Sequence, residues 1–209
     1  MVKPHWLELI YEQIKKAPST TASICSSWDN LQIDGSIDPG EDNPAREIET
    51  IAGTEASVKS TLVRGCWWHL SGAALHLPTW EQIGSFDPQY SHNSDYDWLL
   101  RVLDNGYSIL YIPRTLLVYR QHVMSVSSYS FRHDLDLLQG SAIRRKYKHI
   151  LSRTEYWQIQ WSSITSALYR AARAISRRDF QKALRSSNTL RKLLYYGLVD
   201  SLTLTGLQN

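Results

Sequence analysis

Cysteine is scarce in this chain, with two in 209 residues. Cys25 and Cys66 stand 41 positions apart with no second pair, which fits neither a zinc module nor a disulfide framework. Buried free thiols in a reducing cytoplasm are the reading. Ten glycines and seven prolines are too few for a collagen-like or low-complexity chain. No run reaches the roughly 18 uncharged apolar residues of a membrane span. The nearest, 193–207, is interrupted by Asp200 and reads as a packed terminal helix. The opening MVKPHWLELI lacks the apolar stretch of a secretory leader.

What is present is an ordinary globular mixture, 43% apolar and 21% charged, with length enough for one domain plus an appendage. Eight Trp and twelve Tyr dominate the aromatics. The net charge of +3 hides an asymmetry: residues 1–131 sum to −6 and residues 132–209 to +9. Such a split implies two parts with different tasks.

Local patterns give the organisation. Pro4 followed by Trp6, Leu7, Ile10, Tyr11 and Ile14 predicts a helix that Lys15, Lys16 and Pro18 close. Residues 21–28 read as a strand, 29–44 as a polar excursion, and 58–77 as extended segments broken at Gly65 and Gly72. A short helical turn follows at 79–83. Asn93 opens the clearest helix, with Asp95 and Asp97 in its first turn and Gly106 just past its end. Residues 107–112 and 116–119 read as two strands, and helices follow at 130–150, 153–175, 178–187 and 189–198. The pattern predicts an α/β core with a helical C-terminal appendage.

The distinctive stretch is an ordered series of motifs. Gly84-Ser85-Phe86-Asp87 is followed by Ser94-Asp95-Tyr96-Asp97, Leu100-Arg101, Gly106-Tyr107 and Tyr119-Arg120-Gln121-His122, then a Ser-rich loop at 125–128. This series resembles the second half of the family-2 glycosyltransferases of the GT-A fold. The resemblance covers some 70 residues, weakens across 1–60 and fades through the helical tail. It implies a partial GT-A (Rossmann-like) core over 1–128 and a basic helical region over 129–209.

Inverting transfer needs a carboxylate to take the proton of an attacking hydroxyl, while the departing diphosphate needs its growing charge neutralised. The resemblance puts the catalytic base on Asp95, in the place of the family's Glu-Asp pair, whose Glu is Ser94 here. It suggests acceptor-side roles for Trp67, Trp68, Asp97, Trp98 and Arg120, because sugar faces pack on aromatic rings and guanidinium groups bind diphosphate. His122 aligns with a histidine that joins the metal in some relatives. Asp97 and Arg101, at i and i+4, also suit an ion pair. Trp6, Trp157 and Trp161 read as packing residues.

Such transferases open with a nucleotide-binding half ending in Asp-x-Asp, which holds Mg or Mn on the donor. These residues contain no such half; Asp95-Tyr96-Asp97 and Asp134-Leu135-Asp136 lie in the wrong places. The expectation is a truncated or split chain using a nucleotide-sugar donor and a glycan or lipid-linked acceptor. It would work in the cytoplasm, at the inner face of the membrane. A non-catalytic protein that binds the acceptor or an anionic membrane surface is the alternative, motivated by the basic tail. No nucleic-acid-binding signature accompanies that charge.

Overall fold

Helix α1 (Trp6–Lys16) forms as its apolar spacing predicts, but a different face packs. Trp6, Leu9 and Ile10 lie against Ile24, Leu110, Ile112 and Leu116, while Leu7, Tyr11 and Ile14 stay exposed. Both candidate faces share Trp6 and Ile10 at i and i+4, and only the sheet surface selects between them. Burying Ile10 contributes about 1.5–3 kcal/mol.

The computed structural model describes residues 1–205. The chain forms two compact units, Met1–Ser125 and a second beginning at Val126. The first is mixed α/β and the second is helical.

Two long strands make the spine of the first unit. β1 (Thr21–Leu31) runs parallel to β5 (Ser108–Arg120), pairing Ile24 with Leu110 and Trp28 with Leu117. The outer edge of β1 takes two short antiparallel strands, β2 (Ile37–Asp38) near its end and β4 (Ala73–Leu75) near its start. The outer edge of β5 takes β3 (Glu49–Ile51) and an antiparallel bridge from Val2 to Leu117.

The two strands expected at 107–112 and 116–119 are this single β5. Pro113 cannot donate to the ladder, and the register with β1 shifts where it passes, between Ser26 and Trp28. The freed Pro113 carbonyl accepts from Asn43 N–H at 2.9 Å.

Part of the segment expected to be extended is helix α2 (Glu55–Arg64), fixed by a reciprocal capping box between Thr54 and Ser57. Val58, Thr61 and Leu62 bury one face of it. The β-branched residues mimic a strand; the i, i+3, i+4 spacing is what identifies the helix. A single turn of 3-10 helix at Leu70–Gly72 leads into β4. Helices α3 (Leu77–Ile83) and α4 (Ser94–Asp104) follow.

The second unit holds α5 (Val126–Arg132), α6 (Leu135–Lys146), α7 (Arg153–Ser176) and α8 (Phe180–Thr205). Where two helices are expected at 178–187 and 189–198 there is one. Ser186 and Thr189 are poor helix formers, yet both are buried, and Ser186 Oγ donates to Asp134 at 2.8 Å. The expected terminal helix at 193–207 matches α8 up to residue 205; its last two positions lie outside the described residues. Trp157 packs beside Leu137, Ile164, Ala167 and Leu193, but Trp161 is exposed, contrary to its expected packing role. No helix among the described residues is long and apolar enough to cross a membrane.

Candidate active site

The best-organised cluster of motif residues lies around the first turn of α4. Asn93 starts the helix through its backbone, its carbonyl accepting from Asp97 N–H at 3.1 Å. Asp97 is wholly buried and receives a hydrogen bond from Arg101 Nε at 2.9 Å. The same guanidinium donates to the carbonyls of Ile83 at 2.8 Å and Ser85 at 2.6 Å. Trp98 Nε1 adds a bond to the Gly84 carbonyl at 3.2 Å. Helix α4 thus grips the Gly84-Ser85-Phe86-Asp87 turn, where Gly84 holds the left-handed φ of +87° that a side chain would strain.

This grip corrects three expected acceptor contacts. Asp97, Trp68 and Trp98 are all buried, so none presents a surface to a sugar. The tryptophans are core: Trp98 packs on Trp68 and Trp80 with ring centres 5.2 and 5.4 Å apart, and Phe86 meets Trp80 edge-on at 4.9 Å. Trp68 Nε1 donates to Ser23 Oγ of β1 at 3.0 Å, tying the cluster to the sheet.

Asp95 is different. It is half-buried and accepts from Tyr96 N–H at 2.8 Å. Burial pushes its carboxyl above the usual aspartate range, outweighing that bond. Cys66 Sγ donates to the Trp68 carbonyl at 3.3 Å. Cys25 is buried as expected and Cys66 is exposed, and both are free thiols.

The segment that carries Cys66 also carries Trp67 and His69. Trp67 is half-exposed, its Nε1 donating to Thr61 Oγ1 at 3.2 Å and its ring lying under Arg64. It forms one wall of a cleft of about 350 Å³ with Trp28, Tyr111, Arg46 and Glu49. Among the expected aromatic contacts, Trp67 is the one that faces open space.

His69 was not singled out by any motif. It sits between Trp28 and Tyr119, with ring centres at 4.8 and 4.6 Å, where burial lowers its pKa. Its Nδ1 accepts from Ser71 N–H at 3.2 Å, so the neutral ring carries its proton on Nε2. Its only cue in the sequence is its place directly after Trp67-Trp68.

Arg120 and His122 lie at the end of β5, both exposed, around a separate cavity of about 420 Å³ lined by Leu31, Gln32 and Ile33. Among the described residues no three His, Cys, Asp or Glu side chains converge as a metal set. His122 offers a single imidazole, so the residues present do not build the expected metal site unaided.

No protein-family model matches the chain, and no curated protein matches it.

Proposed function

We propose that this chain supplies the acceptor side of an inverting glycosyltransferase, with Asp95 as the general base. The observation that carries the reading is a half-buried carboxylate, raised in pKa by burial, on a helix whose first turn is held rigidly by Arg101. A base is more effective as its pKa approaches the working pH, and positioning lowers the cost of reaching the attacking geometry.

In the proposed step, Asp95 takes the proton of an acceptor hydroxyl as the hydroxyl oxygen bonds to the anomeric carbon. The bond from that carbon to the nucleoside diphosphate breaks, and the diphosphate leaves with the electron pair. The donor and the charge of its leaving group are handled by a nucleotide-binding part that these 209 residues do not include. The acceptor is a glycan or a lipid-linked sugar, and a lipid-linked acceptor would place the work at a membrane surface.

The reading is supported by the ordered motifs meeting in space: the Gly84 turn, the Asp95 helix and the Leu100-Arg101 pair form one hydrogen-bonded unit. The test joins this chain to the upstream coding region and measures sugar transfer from nucleotide-sugar donors. Asp95→Asn is expected to lower turnover by about 10²–10⁴-fold. Unchanged turnover removes Asp95 from the role of base.

A further inference from the structure

The second unit contains a feature that sugar transfer does not use. A groove of about 860 Å³ opens between α5, α7 and α8, and its walls carry Arg132, Arg170, Arg173, Arg177 and Lys182. Arg170 is neutralised, since its guanidinium bonds Asp134 at 2.9 Å and Asp136 at 2.6 Å. The other four cations have no carboxylate partner among the described residues. The one further acid on the wall, Asp179, accepts from the backbone N–H of Lys182 at 3.0 Å and caps the start of α8.

Charges on a solvated helix spread out; here they converge from three helices onto one concavity. Four like charges around a groove raise one another's energy, and a bound anion relieves that repulsion. Three of the four are guanidinium groups, whose paired N–H donors match phosphate oxygens. Two exposed aromatic side chains, Phe131 and Tyr169, also line the groove, giving it apolar surface beside the cations. A small inorganic anion has no use for that surface, whereas an amphiphile does.

We propose that this groove binds the phosphate or diphosphate headgroup of a membrane lipid, through Arg132, Arg173, Arg177 and Lys182. The proposal does not depend on Asp95 and stands apart from the sugar-transfer reading.

The test uses the intact chain and sedimentation with vesicles of phosphatidylcholine, alone or mixed with phosphatidylglycerol, at low and high salt. Binding is expected only to the mixed vesicles and is expected to weaken with salt. The double variant Arg173→Glu/Arg177→Glu should weaken it at least about tenfold. Arg191→Glu/Lys192→Glu changes the net charge equally on exposed α8 positions outside the groove and should weaken it far less. The milder Arg177→Gln/Lys182→Gln pair is measured alongside, with circular dichroism, so a folding defect in one variant is recognised. Equal losses in the groove and control variants overturn the site in favour of diffuse charge. No binding to the mixed vesicles overturns the proposal. Calorimetry with inorganic pyrophosphate separates the source: pyrophosphate binding without vesicle binding overturns the lipid assignment.

Discussion

Asp95 and Asp97 stand two residues apart on one helix turn and have opposite fates. Asp97 is sealed against Arg101, so Arg101→Ala removes the guanidinium from a buried carboxylate and frees two carbonyls of the Gly84 turn. The expected loss is about 3–5 kcal/mol, read from urea denaturation. Arg101→Lys, which cannot make the three-way fork, should fall between the variant and the parent. Asp95 behaves differently. Its folded pKa is raised, so its stabilising contribution is complete below the ordinary aspartate value of about 3.9 and is lost as pH rises through the folded value. Asp95→Asn should therefore leave Tm at pH 7 unchanged or slightly higher while transfer falls. A Tm lowered by several degrees would make Asp95 a structural residue.

Among the elements, the segment after β2 depends on a close approach that the sequence marks only as a glycine. A Cβ on Gly40 would stand 1.9 Å from the Trp28 carbonyl oxygen, a contact that only backbone movement relieves. Gly40→Ala should cost about 2 kcal/mol and distort the rim of the Trp67 cleft, measurable by denaturation and tryptophan fluorescence. In the helical unit, α8 is locked to its neighbours by the buried Asp200. Arg145 makes a forked contact with it, Lys148 bonds it at 3.0 Å and Tyr156 Oη donates at 2.9 Å. Burial alone would raise the Asp200 pKa; Arg145, Lys148 and Tyr156 outweigh it and hold the carboxyl below its usual range. Its stabilising effect is thus present above about pH 3.9 and disappears as pH falls through the lowered value. Asp200→Asn should cost about 3 kcal/mol at neutral pH and flatten the dependence of stability on acid below pH ~4.

For the molecule as a whole, the charge asymmetry and the division into units coincide. Residues 126–131 carry no charge, so the net −6 belongs to the first unit and the net +9 to the second. A sum of +3 therefore describes neither. At pH 7 and low salt the chain should bind both cation- and anion-exchange resins, each retention falling with salt. Retention by the cation exchanger alone would mean that the acidic surface is masked. The same partition gives the basic groove its setting, because its cations lie in the unit that already carries the positive excess.

Much of this was determined by the sequence alone. Local signals sufficed where the physics is local: Asn93 and Gly106 bracket α4, Pro4 and Pro18 bracket α1, and the Asp97–Arg101 pair follows from helical spacing. The α/β-then-helix order and the charge split were equally legible. Tertiary structure decided what depends on neighbours far along the chain. It chose which face of α1 is buried, let β5 continue through Pro113, and closed Trp68, Asp97 and Trp98 into the core. It also set His69 between two rings and gathered three helices around one basic groove. A residue's type states what it can do, but burial states whether a ligand can reach it, and burial is a property of the packed chain.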